Sequence, residues 1–105
     1  MWNEIEFELV GKLPEGRRRD RMEEVQLLIY RQGDETPPLM GVYWPDPSAK
    51  FRAMLPEGRY SLDLWWEIGP EIWKLDDNLA FDVQADGAVK IDLSKSHIDD
   101  VHGGP

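Results

Sequence analysis

The chain contains no cysteine. This excludes disulfides, thiolate catalysis and cysteine-ligated zinc, and it suits a reducing compartment. Histidine is almost as scarce: His97 and His102 both lie near the C-terminal end. Positive charge is also in deficit. Twelve basic residues face 21 acidic ones, a net charge of −9, so the chain repels nucleic-acid phosphate and anionic membrane surface. No nucleic acid is expected as a partner. No apolar run approaches the roughly 20 residues that cross a bilayer, so no membrane insertion is expected either. Met1-Trp2-Asn3-Glu4-Ile5-Glu6 has neither a basic nor an apolar leader region, and the expected location is cytoplasmic. There is no phosphate-cradling glycine loop and no Gly-x-Ser-x-Gly. The expectation is a protein that is not an enzyme, with no catalytic residue, metal or cofactor.

Aromatic residues, by contrast, are plentiful. Five Trp, three Tyr and three Phe in 105 residues supply many large, rigid apolar groups to a chain long enough for one domain and one core. Their placement follows a two-residue period. Ile5, Phe7 and Leu9 alternate with Glu4, Glu6 and Glu8, so in a strand one set faces a core and the other faces water. The same alternation covers residues 50–55, 60–66, 79–85 and 89–93. Residues 39–44 and 71–75 read as two further strands, the second a short edge strand.

Asp20 to Gln32 is consistent with two conformations. As a strand it faces Val25, Leu27 and Ile29 inward. As a helix it gathers Met22, Val25, Leu28 and Ile29, with Asp20 and Glu23 at capping-box spacing. The strand is preferred, because turn signals at Gly33-Asp34 and Pro37-Pro38 lead straight to another apolar run. Asp86-Gly87 and Pro56-Glu57-Gly58 each separate two alternating runs and predict two hairpins. Leu13-Pro14-Glu15-Gly16-Arg17 recurs as Leu55-Pro56-Glu57-Gly58-Arg59, which reads as one turn recipe used twice. Periodicity stops at Ser94. The expected organisation is one β-sandwich domain over residues 1–93 and a flexible tail over 94–105.

About seven or eight short strands separated by turns indicate an all-β sandwich or barrel. The expected core is Ile5, Phe7, Leu9, Val25, Leu27, Ile29, Phe51, Tyr60, Leu62, Leu64, Trp66, Leu79, Phe81, Val83 and Ile91. Three groups outside it invite a functional reading. His97, Asp99, Asp100 and His102 are metal-competent, although a mobile acidic tail does not pre-place ligands. Arg17, Arg18, Arg19 and Arg21 suit an anion, but Asp20, Glu23 and Glu24 accompany them, which favours a solvated loop. The tryptophans are more informative. If Trp66 points inward, Trp65 points outward from the same strand, and Trp2 lies on the glutamate side of the first strand. Exposed aromatic groups mark interaction surfaces. The candidate ligand-binding set is Trp65, Trp2, Trp44 and Trp73 as stacking groups, with Tyr43 and Asp63 as polar accessories.

Residues 55–84 carry a resemblance. Leu55-Pro56-Glu57-Gly58-Arg59-Tyr60-Ser61-Leu62-Asp63-Leu64, followed by Asp77-Asn78-Leu79-Ala80-Phe81-Asp82-Val83, resembles the end of the carbohydrate-binding domain on ATPase subunits of O-antigen ABC transporters. The Pro-x-Gly-x-Tyr element is similar to that of transthyretin-like, carboxypeptidase-regulatory-like and collagen-adhesin B-type sandwiches. The resemblance implies a small immunoglobulin-like or transthyretin-like antiparallel sandwich and cytoplasmic recognition of a glycan, often by a dimer. Gly103-Gly104 before Pro105 resembles the end of ubiquitin-like modifiers, whose β-grasp fold needs one helix. Three functions follow as expectations: a non-enzymatic, glycan-recognising module; an assembly protein that pairs through an apolar sheet face or edge strand with a protein partner or its own copy; and a ubiquitin-like modifier.

Overall fold

The computed structural model describes residues 1–33 and 38–101. Nine strands occupy these residues: β1 (Trp2–Val10), β2 (Glu23–Arg31), β3 (Met40–Tyr43), β4 (Phe51–Pro56), β5 (Gly58–Ile68), β6 (Glu71–Leu75), β7 (Leu79–Val83), β8 (Gly87–Asp92) and β9 (Ser96–Val101). One sheet has the order β4-β1-β8. The other has the order β3-β2-β5-β6-β9, with β7 as a further partner of β5. The all-β, sandwich-like fold read from the alternation is what the chain adopts. Among the described residues there is no α-helix, only single 3₁₀ turns at Pro14–Gly16 and Arg19–Arg21.

The ambiguous segment is a strand. Val25, Leu27 and Ile29 on β2 are buried, and β2 lies between β3 and β5, which take its ladder hydrogen bonds on both edges. A helix here would leave β3 and the facing edge of β5 without partners. Asp20 belongs to a 3₁₀ turn ahead of the strand and caps no helix. A bulge between Glu23 and Gln26, with Glu24 at φ +46°, sets the register that turns Val25 inward.

The core is one cluster fed by both sheets. Phe7 of β1 meets Phe81 of β7 edge-on at 5.7 Å and 85°, and Trp44 meets Phe51 of β4 at 5.7 Å. Both contacts cross the sandwich. Twelve of the expected core residues are buried, while Phe51, Leu79 and Phe81 are partly covered. Leu13 and Met22 join the core from the β1–β2 connection, and Leu93 joins it from the β8–β9 connection.

Both expected hairpins are corners between sheets. β4 pairs with β1 while β5 pairs with β2, β6 and β7, so Pro56-Glu57-Gly58 carries the chain from one sheet to the other. Asp86-Gly87 does the same between β7 and β8. A hairpin and a corner share one hydrophobic pattern, because each joins two strands with alternate residues inward. They differ only in whether those strands pair edge to edge or face each other across the core. Tyr60 pins the first corner by donating its hydroxyl to the Pro56 carbonyl at 2.6 Å. The second is fastened to β1, where the Glu4 amide donates to Asp86 Oδ1 at 2.8 Å. β8 then runs parallel to β1, from Ile5 opposite Gly87 to Val10 opposite Asp92.

The repeated pentapeptide therefore adopts two conformations. Its first copy is a tight turn with Glu15 at φ +58° and Gly16 at φ +69°, closed by the Arg17 amide on the Pro14 carbonyl at 3.2 Å. Its second copy is the corner. The flanking strands decide which, not the five residues.

β5 holds the larger sheet together. One edge goes to β2, and the other is shared, with Trp65–Ile68 on β6 and Gly58–Leu62 on β7. Between the Trp65–Lys74 and Leu62–Leu79 pairs, the chain moves three positions on β5 and five on the opposite side. The surplus is absorbed at Asp76-Asp77-Asn78, which breaks β6 from β7.

The tail expectation is corrected for residues 94–101. Ser96–Val101 is β9, paired with β6. The turn before it is fixed by Ser96 Oγ donating to the Leu93 carbonyl at 2.5 Å and by the Asp76 amide donating to the Lys95 carbonyl at 2.8 Å. A bulge opposite Ile72 and Trp73 interrupts the alternation of β9, and Ile98 is its one large apolar residue packed on the core. This is why the periodicity fades in the sequence. His102, Gly103, Gly104 and Pro105 lie outside the described residues.

Candidate functional site

The six proposed ligand contacts separate into three places. Trp65, Tyr43 and Asp63 stand on the outer face of the larger sheet. Trp2, 64% exposed, stands on the outer face of the smaller one, opposite Pro56 of β4. The two faces are on opposite sides of the sandwich, so one small ligand does not touch both. Trp44 and Trp73 are buried and correct the expectation that they present stacking faces. Trp44 follows Tyr43 and points to the other side. Its amide donates to the Val25 carbonyl at 2.7 Å and its indole N–H to the Ala49 carbonyl at 3.1 Å. Trp73 lies directly opposite Trp66, and their rings stack at 6.3 Å and 14°.

The register of the larger sheet assembles what remains. Tyr43 of β3 is opposite Gln26 of β2, Gln26 is opposite Trp65 of β5, Trp65 is opposite Lys74 of β6, and Lys74 is opposite His97 of β9. Five side chains thus form one row across five strands, alternating aromatic and hydrogen-bonding groups. Tyr43 is exposed, while Gln26, Trp65 and Lys74 are half-buried. Asp63, one outward position along β5, approaches Lys74 at 3.7 Å. His97 Nδ1 sits 2.9 Å from Asp76 Oδ1, at the break that the surplus residues create. Leu28 and Tyr30 of β2 and Ile72 of β6 share this face, half-buried. Gln26 and Lys74 are missed by the sequence reading, and His97 is singled out there only as a metal-competent group, because cross-strand partners are fixed by register. The one usable signal was their outward parity.

The other candidate chemistry is otherwise engaged. Arg17 forms a two-pronged pair with Glu71, at 2.9 and 2.7 Å, and lies 6.0 Å over the Trp73 ring. Glu71 also accepts from the Trp73 indole at 3.2 Å. The hydrogen bonds from Arg17 hold the Glu71 carboxyl below its usual range, and Glu71 in turn raises Arg17. Arg18 pairs with Asp20, and Arg19 donates to the Leu9 and Pro47 carbonyls at 2.5 and 3.2 Å. These three arginines are taken up in fastening the β1–β2 connection, and Arg21 is exposed beside them.

An open cleft of about 770 Å³ lies between that connection and the β3–β4 loop. Its charged groups already have partners. Arg19 holds the two carbonyls. Lys50 stands 3.5 Å from Glu6 and 3.6 Å from Glu8. The Asp46 carboxyl is lowered by hydrogen bonds from the Ser48 hydroxyl and amide. Among the described residues no three His, Asp or Glu side chains are grouped to hold a metal ion, and no helix is long and apolar enough to cross a membrane. Comparison of the chain with protein-family models, curated proteins and solved structures found no match.

Proposed function

We propose that the protein is a non-catalytic binding module that recognises a glycan on the outer face of its larger sheet. The observation that carries this reading is the row Tyr43–Gln26–Trp65–Lys74–His97. An aromatic ring offers a flat apolar face to the C–H side of a pyranose, and amide, ammonium and carboxylate groups beside it bond the sugar hydroxyls. Here Gln26 and Lys74 flank Trp65, and Asp63 lies within reach of Lys74. The resemblance of residues 55–84 to a carbohydrate-binding domain points the same way.

The second reading is assembly with a protein partner or another copy. Half-buried Leu28 and Ile72 on the same face favour it. Such contact would use the face in preference to the edges at β3, β4 and β9. β3 is four residues long between Pro38 and Pro45, β4 lies between Pro47 and its own terminal Pro56, and β9 is bulged and carries Asp99 and Asp100. Short, proline-flanked, bulged and charged strands discourage pairing at these three edges, which leaves β8 and the outer side of β7 as the remaining edges. The modifier reading rests on Gly103-Gly104, outside the described residues, and the helix it needed is the strand β2.

Indole and amide NMR during titration with a panel of neutral and charged oligosaccharides tests the proposal. The expected result is a saturable shift of the Trp65 indole N–H, lost in Trp65→Ala, on a protein that light scattering finds monomeric. A flat response across the panel, or unchanged binding by Trp65→Ala, would sink it. A concentration-dependent dimer abolished by Trp65→Ala would establish the assembly reading instead.

A further inference from the structure

Resting on that reading, we infer that the ligand is a neutral oligosaccharide of at least three sugars, lying across the strands of the larger sheet and not along them. Direction follows from where the rings repeat. Along β5 the outward neighbours of Trp65 are Asp63 and Glu67, both carboxylates. Across the sheet, Tyr43 stands two strands from Trp65 in the same row, with Gln26 between them. Neighbouring strands are about 4.8 Å apart, so the two rings are separated by roughly 10 Å. A pyranose in an extended chain advances by close to one strand spacing. One sugar therefore stacks on Tyr43, the next lies over the Gln26 amide, and the third stacks on Trp65. A fourth reaches Lys74 and Asp63.

Neutrality follows from charge. Lys74 is matched by Asp63 and His97 Nδ1 is engaged by Asp76, so neither group of the row awaits an anion. The protein's net charge of −9 opposes a polyanion.

Calorimetric titration with β-1,4-linked gluco- and manno-oligosaccharides of one to six sugars, beside oligogalacturonates of equal length, tests the inference. For the neutral series, affinity rises at least tenfold from two sugars to four and levels off by five. The anionic series binds at least tenfold more weakly. Tyr43→Ala flattens the rise, Trp65→Ala weakens every length, and Lys90→Ala on the opposite face leaves the series unchanged. Circular dichroism confirms that each variant is folded. Affinity independent of length, a steep rise that survives Tyr43→Ala, or tighter binding of the oligogalacturonates overturns the inference while leaving glycan recognition in place. No saturable binding at any length by either series, with unmoved amide resonances, removes both.

Discussion

On the outside of the smaller sheet, Glu4, Glu6 and Glu8 of β1 lie beside Lys50 and Arg52. Arg52 approaches Glu4 at 3.4 Å and Glu6 at 3.3 Å, and Lys50 bridges Glu6 and Glu8. On the outside of the larger sheet, Trp65 lies between Gln26 and Lys74, with Leu28, Tyr30 and Ile72 half-covered around it. Both surfaces arise from the same every-second-residue rule. The first is mostly an ion-pair ladder whose charges answer one another, with Trp2 and Met54 as exposed apolar groups at one end. The second retains apolar area that its own sheet does not cover. Period two thus reports which side of a strand meets water. The chemistry of the outward set reports whether water is the intended neighbour.

The sharpest way to break this comparison uses two adjacent residues of β5. Trp66 is fully buried against Trp73, whereas Trp65 is half-exposed on the opposite side. Trp66→Ala should cost about 3–5 kcal/mol, the usual range for truncating a buried aromatic. Trp65→Ala should stay within about 1 kcal/mol. Urea denaturation monitored by circular dichroism measures both. Similar losses at the two positions would show that the outer face is structural and would remove the contrast.

A second experiment sets the two outward-facing indoles against each other. Trp65→Ala should weaken oligosaccharide binding at least tenfold, about 1.4 kcal/mol. Trp2→Ala, on the ion-pair side, should leave it unchanged by the same calorimetry. Equal losses would mean that any exposed indole serves and that the row has no special standing.

Much of this architecture was legible before any coordinates, and the failures have a common cause. Alternation depends on one strand at a time. It therefore found the inward sets of β1, β2 and β5, and it gave Trp65 its outward side. Pairing depends on two strands at once. Pro56-Glu57-Gly58 and Asp86-Gly87 were read as hairpins because corner and hairpin leave the same trace in one dimension. Trp44 and Trp73 were placed on a surface because their strands were short and their parity uncertain until Val25 and Trp66 fixed their partners. β9 was missed because a bulge and acidic residues mask its period. Gln26, Lys74 and His97 entered the candidate site by register alone.

A third prediction concerns the strap from the β1–β2 connection to β6. Arg17 holds Glu71 in its charged form, so the folded-state pKa of Glu71 lies below its unfolded value. The resulting stabilisation is present above the unfolded carboxylate range, near about 4.3, and is lost as pH falls through the folded value. Asp46 and Asp92, each lowered by a serine two residues on, act in the same direction. Glu71→Gln should therefore be less stable than the wild type at neutral pH, and the two should converge in acid. Thermal melts from pH 7 to pH 2 follow this. A gap that persists at the acid end would mean that Glu71 does not act through its charge.

The smallest effect belongs to the ion-pair ladder. Arg52 and Glu4 are largely exposed, and Glu6 is half-buried. Holding long side chains in place offsets most of their Coulomb gain, so Arg52→Ala should lower stability by only about 0.2–1 kcal/mol. That loss should shrink in about 1 M salt, where the screening length falls to roughly 3 Å. Oligosaccharide binding should be unaffected, since the ladder is on the far side of the sandwich from Trp65. Denaturation of Arg52→Ala and wild type at low and high salt provides the measurement. A salt-insensitive loss would assign the role of Arg52 to the packing of its aliphatic stem along β1, and the smaller sheet would then owe its outer surface to apolar coverage just as the larger one does.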